Sequence, residues 1–226
     1  MNIYQAVLFV TLVGTVGSAP LSQKSDIMDK DTVEQAHSLI SKILEDIPTT
    51  HAAWTNYKSL TLNQPSSDLQ FLKNSTIPAA PELKSISDNF TVEICLARIV
   101  EGLNLHLNLL KAISKAPTVT QTKEVPELQA EIRDLLYLIV ELQNQAGYEQ
   151  SMQAPDNQLQ TLEHGLAEPL KDEFMTQMMA HLTLQQLQVF SCDVLRSILS
   201  IRRSTSSMPI SESPNTVQQC VNAADQ

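Results

Sequence analysis

The stretch Ile77–Ile113 reads IPAAPELKSISDNFTVEICLARIVEGLNLHLNLLKAI, and its reading decides the fold. It begins extended, because Pro78 and Pro81 fix their own φ and push Ile77 and Ala80 away from the α region. From Thr91 the pattern changes. Val92, Cys95, Leu96, Ile99, Leu103, Leu107 and Leu110 recur at three- and four-residue steps, which predicts an amphipathic helix burying one broad stripe. Thr91 is placed to cap that helix, and Glu93 puts a carboxylate in the first turn, where the helix dipole favours it. A stiff strap thus feeds a buried helix, and the other helices must pack on its stripe.

Upstream, Ser25–Ile47 reads as a first helix with Val33, Ala36, Ile40, Ile43, Leu44 and Ile47 on one face and Glu34, Ser38, Lys42 and Glu45 opposite. Pro48 is expected to end or kink it, with His51–Leu60 as an amphipathic continuation. Thr61–Asn89 is a long connection rich in Pro, Ser and Asn, in which Ser67–Lys73 is a short helical candidate. Downstream, Ala116–Pro126 is a short polar break. A third helix follows over Glu127–Gln145, with Leu128, Ile132, Leu135, Leu136, Ile139 and Leu142 inward and Gly147 as its stop. Tyr148–Glu168 is a second long polar connection. A fourth helix starts near Pro169 and reaches Arg203, with Leu187, Phe190, Val194, Ile198 and Ile201 as its stripe. Ser204–Gln226 is a Ser-rich tail expected to be flexible.

Connection length constrains the topology. A helix of about 20–25 residues is roughly 30–38 Å long. The short break lets helices two and three lie antiparallel. Each long connection, at up to ~3.3 Å per residue, can run back along a whole helix. The expected fold is therefore all-α: an up-up-down-down four-helix bundle with two long crossover loops, occupying residues 20–203.

Composition agrees with that class. Apolar residues make up 42% of the 226, enough for one core, while five glycines are few for a β-sandwich full of turns. A net charge of −10 argues against nucleic acid and against anionic membrane surfaces, and leaves two readings, a solvated acidic surface or acidic patches that meet a basic partner. Residues 1–19, MNIYQAVLFVTLVGTVGSA, carry an apolar core over Ala6–Val13 followed by small residues. This reads as a secretory signal cleaved after Ser18 or Ala19, so the mature protein is expected in the extracellular space. No later apolar run approaches a membrane span. Three cysteines leave at least one unpaired within the chain, and the disulfide pattern stays open. Cys95 lies on the apolar stripe, Cys192 near the polar flank of helix four, and Cys220 in the tail. Asn74-Ser75-Thr76 and Asn89-Phe90-Thr91 are glycan acceptor triplets.

Motifs for catalysis are missing. The chain has no nucleophile elbow, phosphate-binding Gly loop, HExxH or dinucleotide fingerprint. His37, His51, His106, His164 and His181 show no metal-ligand spacing, and His106 falls on the apolar stripe as a packed core residue. Glu131 and Asp134 stand at i,i+3, a spacing that suits acid–base work only inside a cleft. The expectation is a non-enzyme without metal or cofactor.

Three groups of residues, in order and spacing, resemble the long-chain helical cytokines of the interleukin-6 and granulocyte colony-stimulating factor family, most closely its fish members. The first is Ile77-Pro78-Ala79-Ala80-Pro81 with Leu83, then Cys95-Leu96, Gly102-Leu103 and Leu109-Leu110. The second runs from Leu128-Gln129 through Glu131 and Asp134 to Gly147. The third is His181-Leu182, Leu184-Gln185 and Val194-Leu195-Arg196. The resemblance spans most of residues 33–203. It implies a secreted haematopoietic growth factor, monomeric when free, that brings together two chains of a class I cytokine receptor of the granulocyte colony-stimulating type and drives neutrophil production, differentiation and survival.

The family's first receptor site, on helices one and three, maps to Glu131, Asp134 and Lys42. Ser38 stands where the family has an acidic residue, so Glu34 or Glu45 is the implied substitute. The second site, on the first crossover and the start of helix four, maps to Tyr57-Lys58, with Asp68 nearest to the family's glutamate and Leu69 and Phe71 as apolar contacts. Both disulfides common in mammalian members are missing. One pair of positions reads Trp54 and Leu60, and in the other Ser85 stands opposite Cys95, so a looser first crossover is implied. Two other readings compete: an interleukin-6-type cytokine in immune signalling, and a secreted helical carrier that opens around lipid.

Overall fold

A computed structural model describes residues 28–56, 60–62, 77–148, 162, 164–205 and 220. Four long helices carry the fold: α1 (Lys30–Trp54), α2 (Val92–Ser114), α3 (Glu124–Ala146) and α4 (Glu173–Thr205). A 3-10 turn, Pro169–Lys171, precedes α4. Among the described residues no strand forms, only an isolated bridge between Ser87 and Phe90. The protein is all-α.

Local chemistry sets most helix ends. Asp29 caps α1 by accepting the Thr32 N–H at 3.0 Å. Those bonds from Thr32 hold the Asp29 carboxyl below the usual range. Thr91 caps α2 as its sequence suggests, its hydroxyl accepting the Ile94 N–H at 3.3 Å. Gly147 ends α3 in the left-handed region at φ 68°, where its N–H and that of Tyr148 reach the carbonyls of the last turn. Only glycine adopts that conformation without a steric penalty.

Several boundaries differ from the expectation: α1 begins at Lys30 rather than Ser25, α3 at Glu124 rather than Glu127, and α4 at Glu173 rather than Pro169. Pro48 does not end the first helix, which runs on to Trp54. The ring removes one backbone donor, a cost of roughly 3 kcal/mol in a helix interior. Beyond it, however, Thr50, His51 and Trp54 continue the buried face. Burying an indole and an imidazole offsets the missing bond. At the other helices, α3 begins at Glu124, so Pro126 sits within its first turn, where an N–H is not needed.

Apolar periodicity translates directly into packing. Val33, Ala36, Ile40, Ile43, Leu44 and Ile47 are wholly buried, as are Cys95, Leu96, Ile99, Leu103 and Leu110. Val92 and Leu136, expected inside, are half-buried at the margins. The fourth helix departs most. Every residue from Thr176 to Gln188 is buried, polar ones included, so its core contact is far wider than the expected stripe. Cys192, placed by its neighbours on a polar flank, is buried and disulfide-bonded to Cys220, with Cα atoms 5.4 Å apart. The tail therefore returns to α4 at that point. Cys95 is the free thiol, and burial raises its pKa.

Pairing between helices follows a clear order. α1 packs on α3 and α4, and α2 packs on the same two. His51, late in α1, meets His181 early in α4, while Glu34, early in α1, meets Arg202 late in α4. Asp29, before α1, donates its N–H to Gln145 at the end of α3 at 2.8 Å. Cys95 near the start of α2 lies beside Ser197, and Thr118, just past its end, donates to Thr176 near the start of α4 at 2.9 Å. Gly102 brings α2 and α4 close: a Cβ there would overlap the Phe190 ring.

Candidate functional site

The flank shared by α1 and α3 carries most of the residues singled out from the sequence. Glu34, Lys42 and Glu45 lie on the outer side of α1, and Asp134 is exposed on α3. Each lies on the polar side of its own helix, Lys42 turned toward α3 and Glu34 toward α4. Glu131 behaves differently. It is nearly covered, its side chain only 11% exposed, and it is ion-paired to Lys42 across the α1–α3 seam. Lys42 also binds Asp46 one turn on, at 2.8 Å, so a single ammonium serves two carboxylates. The second Glu131 oxygen is buried without a hydrogen bond. Of the two acidic residues singled out on α3, Asp134 is thus exposed and Glu131 fastens the bundle. Glu34 is shared: Arg202 of α4 donates to it at 3.0 Å, yet its side chain stays largely exposed.

Tyr137 stands one turn from Asp134 on α3. It is 70% exposed, three residues after Asp134 and four after Arg133, and so on the same outer face of α3. Sequence reading passed over it. The available signal was an aromatic placed out of phase with the Leu and Ile stripe. Large exposed aromatics ringed by charge are the side chains that most often anchor protein–protein contacts.

The second expected site lies mostly outside the described residues: Tyr57, Lys58, Asp68, Leu69 and Phe71 all do, as does the acceptor Asn74. At its border, the Asn56 N–H is held by Gln177 of α4 at 3.0 Å, and Glu173 and Phe174 are exposed at the start of α4. Asn89 is described. It is exposed in the two-residue turn closed by reciprocal Ser87–Phe90 backbone bonds of 3.0 and 3.1 Å, open to a glycan.

A row of glutamines, not visible as a motif, strings the connections onto α4. Gln186 donates to the Pro78 carbonyl at 3.1 Å and Gln185 to the Leu62 carbonyl at 3.3 Å. Proline's neighbours leave carbonyls that no helix partner takes, and these amides satisfy them. Two contacts thus pin crossover residues where the absent staples suggested looseness.

Histidine chemistry is that of a core. His106 is fully buried, its Nδ1–H donating to the Gly102 carbonyl at 2.7 Å and its ring stacked on Phe190. Burial lowers its pKa to about 4. Asp193, half-buried beside Arg196, is pushed up by its loss of water, against the pull of the guanidinium. Among the described residues no group of His, Cys, Asp and Glu could hold a metal ion, and no helix is long and apolar enough to cross a membrane. A shallow cleft where α2 ends beside the 3-10 turn is lined by small apolar side chains with Lys115 and Lys171 at its edge. Compared with protein-family models, curated proteins and solved structures, the chain matches none.

Proposed function

We propose that the chain is a secreted long-chain helical cytokine with up-up-down-down topology, acting without catalysis by binding a class I cytokine receptor. Within that class, its sequence resemblance favours the granulocyte colony-stimulating type, which joins two receptor chains and sustains neutrophil production. The observation that carries the reading is the pairing of helices: α1 meets α3 and α4 end to opposite end, and α2 meets α4 in the same sense. Such pairing supports a parallel α1 and α2 joined by long crossovers, of the length the chain has at 55–91 and 147–172.

The acidic α1–α3 flank supports the first receptor contact. Glu34 and Glu45 on α1 and Asp134 beside Tyr137 on α3 are exposed, a set fitted to a basic, aromatic-accepting surface. Charges at such an interface steer encounter and select the partner more than they set affinity. A rod with a second contact elsewhere gains from the effective concentration of receptor on a membrane. The test is proliferation of progenitor cells bearing the granulocyte-type receptor, exposed to the purified protein. Growth that is lost with Asp134→Lys supports the reading. No growth and no receptor binding by the folded protein would overturn it, and activation of an interleukin-6-type receptor instead would reassign it within the class.

A further inference from the structure

Two imidazoles touch inside the α1–α4 seam. His51, in the last turn of α1, is 7% exposed, and His181, in the third turn of α4, is 1% exposed. Nε2 of His51 lies 2.9 Å from Nδ1 of His181, and the rings meet edge-on with centroids 5.1 Å apart. At that distance one ring donates its N–H to the other's lone pair, which requires the accepting nitrogen to be unprotonated. The contact holds one proton between two neutral rings. Should both facing nitrogens carry protons, donor would oppose donor and the bond would become repulsion.

Among the described residues, nothing nearby compensates a positive charge. The Thr55 hydroxyl lies 3.4 Å from His51 Nδ1 and donates to the His51 carbonyl at 2.8 Å. On α1, the nearest carboxylate toward the helix start, Asp46, is engaged by Lys42. On α4, Glu173 accepts from Gln177 at 3.4 Å. Among the described residues, no carboxylate, lysine or arginine from α2, α3 or the strap acts on either ring.

The chain's exit from α1 is hydrogen-bonded beside this contact. The Thr55 N–H returns to the His51 carbonyl at 2.9 Å, and the Asn56 N–H is held by Gln177, one turn before His181 on α4. The last turn of α1, the first residues of the crossover and α4 are therefore one connected patch.

We infer that the His51–His181 contact is an acid-sensitive latch, whose protonation releases the end of α1 and the start of the first crossover from α4. Burial lowers the pKa of both rings, that of His51 to about 4, with His181 adding to the effect. An unfolded histidine titrates near ~6.5. The unfolded or opened chain therefore binds protons more readily than the closed one. Stability from the latch is complete above ~pH 6.5 and is lost as pH falls toward about 4. A separate influence runs the other way: with net charge −10 and pI 4.9, self-repulsion fades as pH approaches 5. A comparison that holds this influence constant isolates the latch.

The comparison is His51→Gln with His181→Asn in the full chain. Gln places an amide N–H where Nε2 stood and Asn an oxygen where Nδ1 stood, so the bond persists without a titratable group. Thermal unfolding is recorded from pH 7.5 to 4.5, with hydrogen exchange over 50–56 and 176–184 corrected for its intrinsic pH dependence. The wild type is expected to lose roughly 5–10 °C of melting temperature relative to the double variant over that range. Its acid-enhanced exchange should concentrate in those two segments. Parallel melting curves for the two proteins, or acid-enhanced exchange spread evenly over four helices, would overturn the latch. If the double variant does not fold, the imidazole C–H resonances of the wild type decide: rings neutral at pH 5.5, with exchange confined to the two segments, support it, and a ring charged at pH 6.5 refutes it.

Discussion

Lys42 on α1 and Glu131 on α3 form an ion pair across the bundle, and the glutamate in that pair is almost wholly covered. One residue expected to face a partner is thereby engaged in holding two helices together. The neighbouring acid, Asp134, remains exposed one turn away.

Reversing the charge at these two positions should separate fold from recognition. Asp134→Lys is expected to leave stability within ~0.5 kcal/mol, as for most exposed sites, while removing receptor activation. Glu131→Lys brings a second ammonium against Lys42 in a nearly closed seam. Breaking a buried pair costs about 3–5 kcal/mol, and the half-exposed Lys42 side chain places this one lower, at about 2 kcal/mol. Denaturant melts beside receptor-binding curves check both, and equal destabilisation by the two changes would contradict the assignment.

Gly102 has no room for a methyl group. Gly102→Ala would drive a Cβ into the Phe190 ring, which is itself stacked on His106. Overpacking of this kind costs about 1–3 kcal/mol. Phe190→Leu combined with Gly102→Ala should recover part of it, and a double-mutant cycle with no coupling would refute close α2–α4 contact here.

The Cys192–Cys220 bond closes a loop with a sequence separation of 28. Loop closure in the unfolded chain predicts a stabilisation of about 3.5 kcal/mol. Cys220→Ser should lower the melting temperature by roughly 7–14 °C, at 2–4 °C per kcal/mol for a chain of this size. Cys95→Ala, which leaves the bond intact, should do less. Calorimetry that finds Cys220→Ser neutral would show that the tail adds nothing to α4.

Gln185 and Gln186 are expected to govern the mobility of the first crossover. Gln186→Ala frees the Pro78 carbonyl and should speed hydrogen exchange across 77–86, leaving the amides of α2 protected. Gln185→Ala should act on the segment around Leu62 instead. If exchange over 77–86 is already unprotected in the wild type, the glutamine does not hold the strap.

Much of this arrangement could be read from the residues in order. Apolar residues at three- and four-residue steps located all four helices, because one buried stripe per helix is a property of the helix alone. Thr91 and Gly147 marked ends, since capping depends on one side chain or one left-handed residue. His106 announced a packed imidazole by standing among leucines. Pro48 left open whether the helix ends or continues, because its local cost is legible while the burial of His51 and Trp54 beyond it is not.

Tertiary structure decided the rest. Whether Glu131 met solvent or Lys42, whether Cys192 found Cys220, and why glutamines line a buried α4 all depend on what lies opposite, far away in the chain. Periodicity tells which face of a helix turns inward and nothing about its neighbour. Amphipathic stripes follow from a 3.6-residue repeat, whereas ion pairs, imidazole contacts and carbonyl partners follow from which surfaces the folded chain brings within hydrogen-bonding reach.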